Sequence, residues 1–229
     1  MAIQAPLTYI ANYYDSVQKK NAAFREVAEF WLSGFRHVTG KKVLNLGCGP
    51  MLYDNMLHFG DVPETYVGLD LNAASFEFLE NSNHPALVEA RTKAEALCPD
   101  IHFIAGDVFD HMAELEGQFD TVLGIGFFGT FDGQLFDDLV SATHQMLKPD
   151  GQLLKMTWHG TQRSASETED KLKYRYDNEI EPPADELVRL IEAQGFSVSK
   201  NDILDCPPDT VGWDKIQVAT FNKKPKPYG

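Results

Sequence analysis

A glycine pair directly follows the first short apolar run of the chain. Residues 43–46 read Val-Leu-Asn-Leu, and residues 47–50 read Gly-Cys-Gly-Pro. A short apolar run stopped by glycines predicts a buried strand. Backbone without Cβ atoms lets a ligand come close, and the N-terminus of a following helix offers unpaired N–H groups. The third glycine of a dinucleotide-binding loop is replaced by Leu52. The pattern therefore predicts either a ligand-binding loop or a structural turn.

Strand and helix patterns alternate after this loop. Further strands are predicted at 65–71, 101–105, 119–125 and 152–158, helices after Asn72, at 85–97 and after Asp132, and a turn at 148–151. Before the loop, an apolar stripe that follows Asp15-Ser16 predicts one helix ending at Gly40. The alternation predicts an α/β protein with a mostly parallel sheet and right-handed crossovers.

The last part of the chain has a different pattern. A predicted helix at 184–194 is followed by two strands, 196–204 and 215–221, with no helix between them. Such strands pair antiparallel or belong to different sheets. We therefore expect an antiparallel element at the C-terminal end of the sheet.

Composition and charge exclude several classes of function. The chain has 229 residues, and 20 Lys and Arg against 34 Asp and Glu give it a formal net charge of −14. This charge disfavours binding to phosphate backbones, so no nucleic-acid partner is expected. The three cysteines form no CxxC or Cys/His cluster, so neither a disulfide framework nor a metal site is expected. Without a signal-peptide pattern or an apolar run of ~18 residues, we expect a cytoplasmic protein with no membrane partner.

Polar residues and glycines stand at the ends of three successive strands. Asp70 comes 21 residues after Gly49, near the end of the second predicted strand, and Gly106-Asp107 closes the third. A carboxylate at the position of Asp70 can accept hydrogen bonds from ribose hydroxyls, or it can cap the next helix. Gly106-Asp107 is either a second ligand contact or a simple turn. Three such strand ends at one sheet edge predict a ligand crevice.

In their order and spacing these segments resemble the class I S-adenosylmethionine-dependent methyltransferase family. The matching segments are VLNLGCGP (43–50), YVGLDLN (66–72), IHFIAGDVF (101–109), FDTVLGI (119–125) and LKPDGQLLKM (147–156). The resemblance implies a three-layer, Rossmann-like α/β fold with a mostly parallel seven-stranded sheet, order 3-2-1-4-5-7-6, and an antiparallel C-terminal strand. It also implies a single domain over 1–229, which comprises an N-terminal helical lid (1–40), a cofactor-binding core (41–159), a substrate-side insert (160–183) and a C-terminal helix with a strand pair (184–229).

The resemblance assigns five residues to the methionine side of the cofactor. Gly47, Cys48 and Gly49 would run along the methionine portion of S-adenosylmethionine. Gly124 and Ile125, at the exit of the fourth strand, would face its amino group and sulfonium.

The resemblance assigns four more residues to the nucleoside side. Asp70 would accept from the ribose hydroxyls, and Leu71 would lie against the adenine. Asp107 would accept from the adenine amino group, beside the Val108 backbone. The chain departs from the family at Asn45, where many members have an acidic residue, so direct neutralisation of the methionine ammonium by residue 45 is not expected.

The segment after the fourth strand supplies the first candidates for acceptor binding. It reads Gly-Phe-Phe-Gly-Thr-Phe at 126–131 and lacks the Asn/Asp-Pro-Pro-aromatic motif of the nucleic-acid amino methyltransferases. Phe127 and Phe128 are predicted to line the substrate pocket or, alternatively, to lie in the core below it. The acceptor is therefore expected to be a small molecule.

Candidates for catalysis and for further substrate contacts are few. His159 follows the fifth strand and is the best candidate for a base, which an acceptor needs only if it must lose a proton. The N-terminal Tyr13 and Tyr14 are predicted to close the site, with Tyr13 contacting substrate and Tyr14 taking part in catalysis. Tyr174, in the insert, is a further substrate-binding candidate.

The sequence thus predicts an S-adenosylmethionine-dependent methyltransferase that methylates N or O of a small molecule. One alternative is an NAD(P)-dependent Rossmann oxidoreductase, which shares the glycine loop and the acid of the second strand. Leu52 and the two consecutive C-terminal strands argue against it. The other alternative is a protein that binds the cofactor without catalysis.

Overall fold

The computed structural model describes residues 5–23, 25–131, 133–159, 184–206 and 215–225. One sheet contains the strands β1 (Lys42–Leu46), β2 (Thr65–Asp70), β3 (Asp100–Ala105), β4 (Phe119–Ile125), β5 (Leu147–His159), β6 (Phe196–Asp205) and β7 (Lys215–Lys223). Their order is β3-β2-β1-β4-β5-β7-β6. The first five strands pair in parallel, whereas β7 pairs antiparallel with both β5 and β6. The predicted fold class and its antiparallel C-terminal end are therefore confirmed.

Helices cover both faces of this sheet. They are α1 (Leu7–Ala23), α2 (Arg25–Phe35), α3 (Leu52–Met56), α4 (Ala73–Asn81), α5 (Pro85–Leu97), α6 (Met112–Leu115), α7 (Gly133–Met146) and α8 (Ala184–Ala193). Residues of α1 to α5 pack in one apolar core cluster, and residues of α6 to α8 pack in a second. Among the described residues, no helix is long and apolar enough to cross a membrane.

The N-terminal helix starts earlier than the sequence pattern predicts. Asp15 and Ser16 lie inside α1, which begins at Leu7, and a separate α2 follows. Ile10 and Tyr14 are buried one helical turn apart in the first core cluster. The prediction of a start at residues 15–16 is wrong because this buried face extends further towards the N-terminus than the apolar stripe used to place the helix.

The predicted turn at 148–151 lies inside a strand. Leu147 pairs with Phe119 and Gln152 with Thr121, so the register shifts between these two pairs. The residues between Leu147 and Gln152 form an irregularity that β5 absorbs, because the ladder resumes immediately after it. The predicted strand therefore begins five residues too late.

Asp120 holds the amino-terminal end of the sheet together. Its Oδ2 accepts from the backbone N–H groups of Lys41, at 3.0 Å, and Lys42, at 2.8 Å, and its Oδ1 accepts from Lys148 Nζ at 2.6 Å. Burial opposes ionisation of Asp120, but the hydrogen bonds from Lys148 and the backbone outweigh it and lower the pKa of the carboxyl. β1, β4 and β5 are thus joined at the end opposite the predicted site.

Candidate active site

The glycine loop turns sharply between β1 and α3. Gly47 and Gly49 have φ of 61° and 51°, a backbone region that side chains with a Cβ rarely adopt. The Gly47 N–H donates to the carbonyl of Leu69 at 2.8 Å, which ties the loop to β2. A Cβ on Gly47 would lie 2.3 Å from Cδ2 of Phe127, whereas a Cβ on Gly49 would meet nothing within 4 Å. One glycine therefore packs under an aromatic ring, and the other faces open space.

Asp70 connects this loop to the end of β2. Its Oδ2 accepts from the Gly49 N–H and its Oδ1 from the Asn72 N–H, each at 2.8 Å. Burial raises the pKa of Asp70, and the two backbone hydrogen bonds partly offset that effect. The Asn72 side chain accepts from the Ala74 N–H, so Asn72 caps α4 and Asp70 does not. Asp70 is thus left to shape the loop.

The end of β3 lies beside Asp70. The Gly106 N–H donates to the Asp70 carbonyl at 3.0 Å, which places Asp107 next to this strand end. Asp107 is exposed, and its Oδ1 accepts from the Phe109 N–H at 3.1 Å, so it caps a single helical turn at Val108–His111. Val108 is buried beneath this turn. Leu71 follows β2 directly and is half-buried.

Three half-buried phenylalanines connect the ends of β3 and β4. The Phe127 and Phe131 ring centroids are 5.1 Å apart and the Phe109 and Phe131 centroids 6.2 Å apart, in edge-to-face contacts. We call Phe109, Phe127 and Phe131 the aromatic wall. Phe127 also packs on Gly47, so the wall adjoins the glycine loop.

Phe128 lies in the core and does not line the predicted crevice. Its side chain is 1% exposed, and a Cβ on Gly124 would lie 2.5 Å from its ring. Gly124 and the neighbouring Ile125 end β4, and the Gly126 N–H donates to the Met156 carbonyl at 2.8 Å. Of the two positions predicted for Phe128, the structure contains the core position, because the absence of a side chain at Gly124 leaves room for its ring.

Tyr14, on α1, is fully buried where this helix packs against the elements that follow the glycine loop. Its hydroxyl donates to Asp54 Oδ2 at 3.0 Å, and Gln18 Nε2 donates to Asp54 Oδ1 at 2.8 Å. Burial and the Asp54 carboxylate raise the pKa of Tyr14 well above its ordinary value. α1 also contacts α4 and the turn Gly49–Met51. Tyr14 therefore fastens the N-terminal helix beside the predicted cofactor site, and its hydroxyl is not poised to act as a base near neutral pH.

For two of the other predicted acceptor-side residues, Tyr13 and His159, the structure gives a position in the secondary structure of the chain. Tyr13 lies on α1 and is 45% exposed. His159 is the last residue of β5, where its backbone pairs with Lys215. Tyr174 lies outside the described residues. The structure thus brings together the three cofactor-side strand ends and Phe127, while the joint action of Tyr13, His159 and Tyr174 stays a prediction.

Two side chains at the glycine loop, those of Cys48 and Asn45, are buried. Cys48 is buried, and burial raises the pKa of its thiol well above the ordinary value, so it is a packing residue and not a nucleophile. Asn45 is also buried. Its Nδ2 donates to the Tyr66 hydroxyl at 2.9 Å, and its Oδ1 has no hydrogen-bond partner. A buried acceptor without a partner is costly, and a ligand at the loop would be able to satisfy it.

Sequence reasoning missed Asp54 and Lys155. Asp54 stands in the first turn of α3, where no motif marks it, and its role follows only from the contact with Tyr14. Lys155 is buried in β5. Its signal was visible, because a lysine interrupts the apolar run Leu153-Leu154-Lys155-Met156.

Comparisons with solved structures show the fold. A protein described as a methyltransferase, in a complex with the Haloferax volcanii Trm112 methyltransferase activator, is 15% identical with a TM-score of 0.65, covering 97% of this chain and 100% of that one. Burkholderia thailandensis 1,6-didemethyltoxoflavin-N1-methyltransferase, with S-adenosylhomocysteine bound, is 19% identical with a TM-score of 0.57, covering 98% and 92%. The [4+2]-cyclase SpnF is 14% identical with a TM-score of 0.56, covering 87% and 80%. Because a cyclase shares this fold, the fold does not by itself define the reaction.

Comparison of the sequence with families is more informative. No curated protein matches the sequence significantly. A family model described as thiopurine S-methyltransferase (TPMT) matches residues 19–170, which is more than half of the chain. This match excludes the oxidoreductase alternative. The chain belongs to the thiopurine S-methyltransferase family and is an S-adenosylmethionine-dependent methyltransferase.

Proposed function

We propose that this methyltransferase acts on a small aromatic molecule, at a nitrogen or oxygen atom, in a crevice along the carboxyl ends of β1 to β5. The aromatic wall is the observation that carries the proposal. Three half-buried phenylalanines stand beside the glycine loop, where Phe131 contacts both Phe109 and Phe127 edge to face, and together they offer an apolar surface. An aromatic acceptor gains contact energy by packing against such a surface, whereas a polar polymeric acceptor would not.

The residues of the glycine loop fit S-adenosylmethionine, the cofactor of this family. The Oδ1 of Asn45 is buried without a partner two residues before Gly47, and the methionine ammonium is a donor able to satisfy it. The space beside Gly49 is open. Each Asp70 oxygen accepts one backbone N–H and keeps a second lone pair for a ribose hydroxyl.

The proposed cofactor contacts follow from this fit. Backbone of the loop would hold the methionine portion, Asp70 the ribose, and the β3 end the adenine. The complete proposed set is Gly47, Cys48, Gly49, Asp70, Leu71, Asp107, Val108, Gly124 and Ile125. The bound cofactor supplies a methyl group on an activated sulfonium, so the protein has mainly to position the acceptor.

The acceptor side is proposed to work by positioning. The aromatic wall orients the acceptor ring, and Tyr13 on α1 is the proposed contact from above. Tyr14 acts on the site through Asp54 and α1, which makes it a positioning residue. His159, at the end of β5, is the proposed base for acceptors that must lose a proton.

The names of related proteins support a small-molecule acceptor. The family is named for thiopurines and for methylation at sulfur. The Burkholderia thailandensis enzyme is named for N1-methylation of 1,6-didemethyltoxoflavin. Sulfur therefore joins nitrogen and oxygen as an acceptor atom to be tested.

Transfer of labelled methyl from S-adenosylmethionine to a panel of aromatic phenols, amines and thiols tests the proposal. We expect turnover with at least one ring acceptor and its loss in Phe131→Ala, with the affinity for S-adenosylhomocysteine unchanged. Leu135→Ala removes an exposed apolar side chain elsewhere and is the matched control. Turnover with protein or nucleic-acid acceptors only, or an unchanged Phe131→Ala variant, would refute the small aromatic acceptor.

A further inference from the structure

His84 contacts two consecutive residues of α1 from the loop that joins α4 to α5. Its Nε2 lies 2.8 Å from Oδ1 of Asp15, and its ring meets the Tyr14 ring edge to face, with the centroids 5.2 Å apart. The backbone of His84 is itself fixed, because its N–H donates to Ser82 Oγ at 3.2 Å and its carbonyl accepts from the Val88 N–H at 2.9 Å. The ring is therefore presented to α1 from a backbone that is held on both sides.

The second ring nitrogen of His84 shows that this position has a cost. Nδ1 is buried, and no residue that the structure describes provides a hydrogen-bond partner for it. Beside a carboxylate, Nε2 carries the proton, so Nδ1 of the neutral ring is an acceptor without a donor. A buried polar atom without a partner is costly, and an apolar side chain would fill the same space without that cost. The contact with Asp15 therefore indicates a role for His84 in holding α1.

Tyr14 continues this connection towards the glycine loop. Its hydroxyl donates to Asp54 Oδ2 at 3.0 Å, and Gln18 donates to the other oxygen of the same carboxylate at 2.8 Å. Asp54 lies in the first turn of α3, which starts directly after the turn Gly49–Met51. The five residues that take part in these contacts are here called the α1 network: Tyr14, Asp15, Gln18, Asp54 and His84. The α1 network thus joins α1 to α3 and to the start of α5.

The α1 network connects α1 to the helices that follow both proposed cofactor loops. α3 continues the glycine loop, and α4, which ends three residues before His84, continues the strand end at Asp70. α1 also contacts α4 and the turn Gly49–Met51 directly. Because consecutive residues of a helix lie about 100° apart around its axis, the separate partners of Tyr14 and Asp15 restrict the rotation of α1 as well as its displacement.

We propose that His84 is a positioning residue for cofactor binding, which holds α1 where this helix supports the glycine loop and the strand end at Asp70 together. His84 does not touch the cofactor and acts through Asp15 and Tyr14. The inference rests on the proposed cofactor contacts and adds a coupling between them and α1. Coupling is reciprocal, so a ligand that binds best when α1 is in place also stabilises α1.

Amide hydrogen exchange of α1, measured with and without S-adenosylhomocysteine, tests this coupling. We expect saturating S-adenosylhomocysteine to slow exchange in α1 of the parent protein by roughly tenfold or more. In the free protein, His84→Ala should speed exchange in α1 by roughly tenfold, the effect of losing one ion pair and one ring contact. The same variant should bind S-adenosylhomocysteine about threefold more weakly or worse, because α1 is in place for a smaller fraction of the time. His84→Gln keeps an N–H donor for Asp15 and should restore most of both losses.

His102→Ala is the matched control, because His102 forms the same kind of pair with Asp100 on the edge strand β3, with Nε2 and Oδ1 2.6 Å apart. It should leave α1 exchange and cofactor affinity unchanged. Faster exchange in His84→Ala without any loss of affinity, or no recovery in His84→Gln, would overturn the inference. Exchange in α1 of the parent protein that does not respond to S-adenosylhomocysteine would also overturn it, and this measurement needs no variant to fold. Failure of the proposed function is separate, since it would appear as no methyl transfer to any ring acceptor.

Discussion

On the proposed cofactor side of the site, backbone groups are expected to do most of the binding, whereas the proposed acceptor side presents side chains. The glycine loop, the Asp70 carboxylate and the β3 end are joined by short hydrogen bonds between neighbouring strands. The side chains of the aromatic wall come from the segments that follow β3 and β4. Backbone geometry suits a cofactor that does not vary, and side chains suit an acceptor that differs between enzymes. The two sides meet where Phe127 packs on Gly47.

Gly47→Val should cause the largest loss, because it affects both sides. The new Cβ would lie 2.3 Å from the Phe127 ring and would strain a backbone with φ of 61°. We expect no measurable binding of S-adenosylhomocysteine by titration calorimetry and a lower midpoint of thermal unfolding.

Gly49→Ala separates backbone strain from a steric clash of the new Cβ. Gly49 has a φ similar to that of Gly47 but open space for a Cβ, so only the backbone strain of about 1–2 kcal/mol should lower the free energy of unfolding. If Gly49→Ala and Gly47→Val lost stability equally, the contact between the two sides would be unimportant.

Asp70→Ala should act on the cofactor side alone. Loss of the carboxylate leaves two backbone N–H groups and the ribose hydroxyls without an acceptor, at a cost of about 1–3 kcal/mol in cofactor affinity. The measurement is the Kd of S-adenosylhomocysteine, with the rank order of acceptors as the control. A change in acceptor preference would contradict the separation of the two sides.

The pH dependence of cofactor binding is a second test of the role proposed for Asp70. Burial raises the pKa of Asp70, so its folded-state pKa exceeds the unfolded value and its ionisation opposes folding as pH rises. Ribose hydroxyls bind the ionised form better, so cofactor affinity should weaken as the pH falls through the pKa of Asp70, which is raised above its ordinary value. Asp70→Asn should remove the dependence, and a similar pH profile for both proteins would contradict the assignment.

Tyr14→Phe should have a smaller effect. It removes the hydroxyl that donates to Asp54, a hydrogen bond to a charged group that contributes about 1.5 kcal/mol. We expect a lower free energy of unfolding and weaker cofactor binding, because α1 contacts the turn Gly49–Met51. The pH profile of kcat should stay unchanged, since Tyr14 acts through Asp54. A shift in that profile would instead assign Tyr14 to the chemistry.

His159→Ala should have the smallest effect. If positioning controls transfer, turnover should fall by less than about tenfold, whereas loss of a general base costs about 10²–10⁴-fold. The measurement is the pH dependence of turnover with a phenol and with an amine. A large loss confined to the phenol would show that a base is used on the acceptor side.

Local signals made the cofactor side predictable from sequence. The glycine loop, Asp70 and Gly106-Asp107 each follow a short apolar strand, and parallel strands bring such ends to one edge. Helix α5 was predicted at its observed bounds because Pro85 starts it. The other side was harder, because Phe128 packs inward only through its fit over Gly124, and the burial of Lys155 follows only from the pairing of β5 with β4 and β7. The pairing of Lys155 joins residues far apart in the chain, and the fit of Phe128 over Gly124 depends on the turn between them, so no local pattern records either.

Asp120 gives the two ends of the sheet different resistance to local opening. Its carboxylate joins β1, β4 and β5 at the amino-terminal end. Amide hydrogens of Lys41 and Lys42 should therefore exchange with solvent slowly, whether or not a ligand is bound. Amides at the carboxyl ends of the same strands, by contrast, gain protection when a ligand covers them. We therefore expect the end joined by Asp120 to open least, and the opposite end to show the larger change in amide exchange when a ligand binds.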